Sequence, residues 1–202
     1  MIILSHEQYS LEWWAAHIGR PSSSMFGKIV TSEGKKSASW WATAYKFAAE
    51  LNMGHLEGPG YQNEDMTRGT LLEAEARDAY EFIYDVSVRQ VGGVFRDEQR
   101  LWMCSPDGIY DTTGLEIKCP LAGTHMGYCF KGVLPTDYKP QVYGSLWICD
   151  ELEQWAFFSY HPELKPFRTI VNRQDEGYKV YSDALEKFMP EFIRNIAEVA
   201  KA

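Results

Sequence analysis

Apolar positions recur along this chain at two periods, and the switches between them outline its elements. Glu7 to Ile18 has helical spacing, with Trp13 and Trp14 as anchors, and Gly19-Arg20-Pro21 ends it. Ser22-Ser23-Ser24 is a natural N-cap for a second helix over Met25 to Val30. Thr31 to Ser37 reads as a polar, lysine-bearing loop, and Ser39 to Asn52 returns to helical spacing. Residues 54–63, centred on Gly58-Pro59-Gly60, read as a loop. Glu64 to Tyr84 is a long helix with Leu72, Ala76, Ala79, Tyr80 and Ile83 as its apolar series. Strands are expected over Val86–Phe95, Leu101–Cys104, Gly108–Tyr110 and Leu115–Lys118. Helices follow over Ala122–Phe130 and Tyr138–Cys149, then strands over Gln154–Tyr160 and Phe167–Val171, and a closing helix over Glu176–Lys201. This order predicts an α/β fold, a central mixed β-sheet flanked by helices, in one domain spanning residues 1–202 with no repeat or linker.

Composition narrows the classes. With 202 residues, 45% hydrophobic and 24% charged, the chain can bury a sizeable core. No run of about 18 apolar residues suggests a membrane span. The start, Met1-Ile2-Ile3-Leu4-Ser5-His6-Glu7, lacks the basic and long apolar regions of a signal peptide, so a cytoplasmic location is expected. Cys104, Cys119, Cys129 and Cys149 form no Cys-x-x-Cys pair, so reduced thiols are expected rather than structural zinc, and an iron–sulfur cluster is weakly supported. The net charge of −8 argues against nonspecific coating of DNA but not against an enzyme with a local basic channel.

The chemistry concentrates in one segment. Ser105-Pro106-Asp107-Gly108 is followed eight residues later by Glu116-Ile117-Lys118. Side chains alternate faces along a strand, so Glu116 and Lys118 point one way and Ile117 the other. A hairpin here brings two carboxylates and an ammonium to one point, an arrangement suited to a hard divalent cation beside a water. SPDG is also an ordinary turn sequence, and Glu-x-Lys is common on solvated strands. The apolar setting, Leu101-Trp102-Met103-Cys104 before the turn and Ile109-Tyr110 and Leu115 after it, favours the site reading, because charges among buried strands are costly unless paired or metal-bound. Glu73 and Glu75 lie on the preceding long helix, where only one of them can face the hairpin. Either is otherwise a solvated helix residue.

Taken in order, Trp13 to Ser24, Gly34-Lys35-Lys36, Gly69-x-x-x-Glu73, Cys104-Ser105-Pro106-Asp107-Gly108, Gly114-Leu115-Glu116-Ile117-Lys118-Cys119-Pro120, Gln141-Val142-x-x-Ser145-x-Trp147 and Pro190-Glu191-Phe192-Ile193 give the chain a likeness. It resembles the phage lambda exonuclease family, the YqaJ-like viral recombinases of the PD-(D/E)xK nuclease superfamily, over almost its whole length. The resemblance implies a restriction-endonuclease-like core. It also implies a Mg²⁺-dependent exonuclease, with Mn²⁺ as a substitute, that digests one strand of duplex DNA from its 5′ end. The family works as a ring-shaped homotrimer on double-stranded DNA ends and hands a 3′ tail to a single-strand annealing protein of a phage or prophage. By the same resemblance Asp107 and Glu116 are metal ligands with the Ile117 carbonyl, Lys118 orients or deprotonates the attacking water, and Glu73 supports a metal-bound water or a second ion. Gln141 and Ser105 contact DNA phosphate, and Ser24 helps to hold the 5′-phosphate.

The chain departs from the pattern where the family has an arginine gripping the 5′-phosphate. His17 stands there, with Arg20 just beyond, and His17 is equally read as an ordinary helix residue. Met66 falls where the family has an apolar strand-separating wedge, and a helix-face Met is also a common core filler. Lys35 and Lys36 form an arch over DNA or merely solvate a loop; with Lys131 and Lys139 they could line the channel of a ring. The Trp40-Trp41 pair could stack on bases or turn inward. The competing readings are an endonuclease of the same superfamily, a cluster-bearing CRISPR-associated nuclease, and a noncatalytic DNA-end-binding module.

Overall fold

The computed structural model describes residues 1–57 and 64–202, the side chains of 64–67 and 70 excepted. The expected mixed α/β architecture is present, with its strands divided between two sheets. In the first, β1 (Ile2–Leu4), β2 (Gly93–Phe95) and β3 (Met103–Cys104) pair antiparallel in that order. In the second the order is β4 (Gly108–Tyr110), β5 (Thr113–Lys118), β6 (Gln154–Ser159) and β7 (Phe167–Asn172). Among the described strands of this sheet only β5 and β6 pair parallel, and the helices α4 (Ala122–Lys131) and α5 (Lys139–Ile148) supply the long crossover such a pair requires.

Burial follows from this order. β5 and β6 carry near-continuous apolar runs because parallel strands are covered on both faces. At Gly114 a Cβ would lie 2.3 Å from the Trp155 ring, so this pairing needs glycine at that point. α5 takes Pro140 in its first turn, where a missing N–H costs nothing, and is buried from Val142 to Ile148. α6 (Glu176–Val199) buries Tyr178, Tyr181, Leu185, Met189, Phe192 and Ile196, spaced by three and four residues. It packs on α2 (Trp40–Met53), where the Phe192 ring meets Trp40 at 4.9 Å and Phe47 at 6.3 Å. A smaller apolar group joins Ala76 and Tyr80 of α3 (Glu64–Tyr84) to Leu115, Ile117 and Phe158, seating α3 over the second sheet.

Several boundaries differ from the sequence reading. The strand expected over Val86–Phe95 survives as a bridge from Arg89 to Ile109 and as β2. Gly92 lies between them, where a Cβ would fall 1.6 Å from the His6 carbonyl oxygen, so the amino-terminal segment crosses hard against the strand. β1 was not expected, because three residues carry too little periodicity to register. The first helix, α1, spans only Leu11–His17, since Ser10 caps it through a hydrogen bond from Trp13 N–H to Oγ (3.2 Å). The second expected helix is a 3₁₀ turn over Ser23–Lys28.

Candidate active site

The register of β4 on β5 builds the centre of the site. Gly108 pairs with Leu115, which sets Asp107, just ahead of β4, opposite Glu116. The Asp107 N–H donates to the Leu115 carbonyl (3.0 Å), and the Ile117 N–H donates to Asp107 Oδ2 (2.6 Å). Leu115 and Ile117 thus turn their backbone groups towards β4, but β4 begins at Gly108. The Ile117 carbonyl therefore points past the strand end, beside the Asp107 side chain. Glu116 and Lys118 share the opposite face, with Lys118 Nζ 2.5 Å from Glu116 Oε1. Gln141, in the first turn of α5, donates to the same oxygen at 2.6 Å. Glu116 is buried, and Lys118 also lies over the Tyr138 ring at 5.4 Å.

α3 supplies the third carboxylate. Glu73 is half-buried and faces the hairpin, whereas Glu75 is exposed and accepts a hydrogen bond from the Tyr160 hydroxyl (2.6 Å). Arg77, one turn on, donates to Glu73 Oε1 (2.6 Å) and through Nε to the Asp107 carbonyl (3.0 Å). With the Gln90 amide turned so that its oxygen faces Arg77, that oxygen accepts from both guanidinium nitrogens, at 2.7 and 3.1 Å. Arg77 is thus a clamp between the helix and the start of β4.

The electrostatics reflect this crowding. Burial, then the Glu116 charge, push Asp107 well above the usual carboxylate range; Glu73 adds to the rise, and Lys118 opposes it. Burial alone would lower Lys118, but Glu116 and Asp107 overcome it and hold the ammonium above its ordinary value. Such an accumulation of negative charge suits a hard divalent cation. In this side-chain arrangement no three His, Cys, Asp or Glu side chains among the described residues enclose an ion, because Glu116 is drawn to Lys118 and Gln141, and Glu73 to Arg77. The donors that fit are the Asp107 and Glu116 carboxylates with the Ile117 carbonyl, backed by Glu73. Among the described residues each of the three carboxylates accepts from protein donors through one oxygen, leaving the other for a ligand. A cleft of about 560 Å³ opens beside them, walled on one side by Glu73, Arg77 and Asp107 and on the other by the segment from Ile3 to Tyr9.

The residues expected at the 5′-phosphate lie on the α1 side. The Trp13 indole N–H donates to the Gly92 carbonyl (2.7 Å) and to Ser105 Oγ (3.1 Å), tying α1 to the residue two before Asp107. The His17 ring lies tilted against Trp13 (3.9 Å between centroids), with Nδ1 2.7 Å from the Trp13 carbonyl oxygen. Arg20 is committed elsewhere, donating to the carbonyls of Ala16 (3.0 Å) and Arg100 (3.1 Å). Ser24 is exposed, its hydroxyl 2.8 Å from that of Ser22, while Ser23 is buried and accepts from Ser145 (2.8 Å).

Other candidates are not brought to the centre. Lys36 is paired with Glu191 at 2.6 Å and covers the Trp40 ring at 4.6 Å, which fastens its loop to α6; Lys35 is exposed beside it. Trp40 turns inward and Trp41 outward, stacked on Tyr45 at 5.9 Å. The Met66 side chain lies outside the described residues. Cys104 and Cys149 meet in the core with sulfurs 3.5 Å apart, and Cys119 and Cys129 stand elsewhere, so the described cysteines form no cluster-binding group. Sequence reasoning missed Arg77, although its position four residues after Glu73 is an ion-pair spacing. It also missed Gln8 and Tyr9, which carry no local signal.

The sequence model for the YqaJ-like viral recombinase domain matches residues 12–151. Among curated proteins none matches. Among solved structures the chain is similar to an alkaline exonuclease from Laribacter hongkongensis, at 27% identity and a TM-score of 0.80 over 95% of this chain and 97% of that one. The same exonuclease in complex with dAMP matches at 26% identity and a TM-score of 0.79, with the same coverage. A phage-related exonuclease from Haemophilus somnus 129PT matches at 16% identity and a TM-score of 0.61, over 88% of this chain and 96% of that one, a likeness of fold.

Proposed function

We propose, from the premise that the chain belongs to the YqaJ-like viral recombinase family and is a nuclease of the lambda-exonuclease kind, that it is a Mg²⁺-dependent 5′-to-3′ exonuclease acting on one strand of linear duplex DNA. The observation that carries this reading is the meeting of Asp107, Glu116 and Lys118 where β4 begins, with Glu73 on the same wall of the cleft as Asp107 and tied to it through Arg77. When bound, Mg²⁺ would offset charge building on the phosphate and acidify its water. Asp107, Glu116 and the Ile117 carbonyl would hold it, and Glu73 would orient water from the helix side. Lys118, kept cationic by its two carboxylate neighbours, donates to the water or the phosphate and offsets the charge that grows during cleavage. Gln141 keeps Glu116 aimed, and Ser105 presents its hydroxyl towards the α1 side. A ring-shaped homotrimer, an annealing partner that takes up the 3′ tail, and a place in the cytoplasm of a phage-bearing bacterium complete the reading.

The test is digestion of a linear duplex, labelled at each 5′ end and internally, with Mg²⁺ or chelator and with 5′-phosphate or 5′-hydroxyl ends. Metal-dependent release of mononucleotides from the 5′ strand is expected, faster with the phosphate. Internal cuts, or nicking of closed circles, would convert the reading to an endonuclease; no metal-dependent loss would leave a DNA-end-binding module. Light scattering at micromolar concentration checks the ring, and a monomer would remove it.

A further inference from the structure

We propose that Tyr9 is a nucleobase-stacking residue in a subsite for the nucleotide at the cut, formed by the cleft between the amino-terminal segment and the carboxylates. The inference rests on the nuclease reading above and adds a residue to it. Tyr9 has φ +67°, in the left-handed region that a bulky side chain seldom enters. Strain of this kind persists only where the surroundings enforce it, and it collects at functional sites. Here the surroundings do enforce it. Gln8 Nε2 donates to the carbonyls of Val91 (3.1 Å) and Pro106 (2.9 Å), the second of them adjacent to Asp107. Ser10 Oγ donates to the Glu7 carbonyl (2.8 Å), and the His6 carbonyl is pressed on Gly92. Tyr9 is therefore fixed with respect to Asp107 although it belongs to no helix or strand.

The ring so placed is not used to fill the core. Tyr9 is 56% exposed, with one side against Trp13 (5.2 Å) and Trp14 (6.1 Å), and Trp14 is itself 42% exposed. The other side borders the cleft, whose far wall is Glu73, Arg77 and Asp107. The phenol is raised above its ordinary value by burial and then by the charges of Glu73 and Asp107, which places it within their field. A cleft of about 560 Å³ is in the range of small-ligand sites. A nucleotide whose phosphate sits at the carboxylates can lay its base on Tyr9. Stacking on an aromatic face accepts every base, so a subsite of this kind would not select a sequence.

Tyr9→Gly separates this role from a structural one, because glycine takes the left-handed conformation freely while removing the ring. The measurements are the inhibition constant of dAMP and the KM for a short 5′-phosphorylated duplex at saturating Mg²⁺, together with thermal midpoints. We expect Tyr9→Gly to weaken both constants by about tenfold, within the range expected for loss of one stacked base, with kcat less affected and the midpoint not lowered. Tyr9→Phe, which keeps the ring, should recover both constants to within about threefold. Tyr9→Gly constants within about twofold of the parent, or a lowered midpoint with unchanged constants, would overturn the proposal. A parent protein that digests no duplex would instead overturn the nuclease reading, and binding of dAMP followed by tryptophan fluorescence would still decide Tyr9.

Discussion

On the sheet side of the cleft, Asp107, Glu116 and Lys118 take their places from strand register, each within hydrogen-bonding distance of a neighbour in the same hairpin. On the α1 side, Tyr9, His17, Arg20 and Ser24 depend on a short helix, a 3₁₀ turn and long-range ties such as Trp13 to Gly92 and Gln8 to Pro106. The first wall concentrates charge, and on the proposed function it would carry the chemistry. The second is aromatic and hydroxyl-rich, and on the same proposal it would hold a strand end. The contrast separates groups placed by strand register from groups placed by ties between distant parts of the chain.

The largest effect that tests this division is Asp107→Asn. The asparagine can still accept the Ile117 N–H, but it removes a charge the site needs, and activity should fall at least about a hundredfold. Stability should move the other way. Asp107 is raised above its unfolded value, so the stabilisation linked to its protonated form is complete below the unfolded pKa and is lost as pH rises through the folded one. Above the unfolded pKa the Asp107 carboxyl therefore weighs on the fold, and Asn relieves it. Melting in chelator at pH 7.5 should show Asp107→Asn at or above the parent. A melting point well below it would mean that Asp107 is a structural turn residue and that the sheet wall is not the reacting one.

Arg77→Ala probes the joint between α3 and the hairpin. It leaves Glu73 and the Asp107 carbonyl without their donor, a loss of about 2 kcal/mol for a pair that keeps some solvent contact, or roughly 4–8 °C in a chain of this size. Activity should drop about 10–100-fold, as for residues that orient metal ligands, and more Mg²⁺ should be needed for half-maximal rate. Arg77→Lys restores charge but not the planar fork, so it should regain melting temperature more fully than activity. Equal recovery of both would make Arg77 a plain ion pair.

How much was legible in the sequence follows the same line. Glu116, Ile117 and Lys118 announced themselves because strand alternation is a local rule, and the SPDG turn fixed where Asp107 had to stand. The long helix carrying Glu73 was read with the same bounds the structure gives, since its apolar series from Leu72 to Ile83 keeps helical spacing over about three turns. By contrast β1 is three residues long, and its pairing with β2 spans some ninety positions that no periodicity connects. The strand expected over Val86–Phe95 is broken by contact with His6, which is a tertiary event. Arg20 looked like a free cation, but its guanidinium serves the carbonyls at the end of α1 and at Arg100, as an arginine near a helix C-terminus often does.

The smallest predicted effect concerns the α1 side of the cleft. His17 is held below its ordinary value mainly by burial, with the Arg20 charge adding to the fall and the Trp13 carbonyl opposing it. It is therefore neutral at pH 8, with Nδ1 donating to Trp13 and Nε2 left as an acceptor, which cannot donate to a phosphate. Protonation changes that, but at a cost to the fold: the stability linked to neutral His17 is present above the unfolded pKa and is lost as pH falls through the lower folded one. If His17 takes the place of a phosphate-gripping arginine, the preference for 5′-phosphate over 5′-hydroxyl ends should be flat from pH 8 down to the ordinary imidazole range and grow about tenfold only as pH falls below it, through the lowered pKa of His17, in keeping with about 1.5 kcal/mol from one charge-assisted hydrogen bond. His17→Gln should flatten that profile, and His17→Arg should raise the preference at pH 8. A parent profile flat throughout, with Ser24→Ala abolishing the preference, would assign the phosphate to the serine run and leave His17 as a packing partner of Trp13.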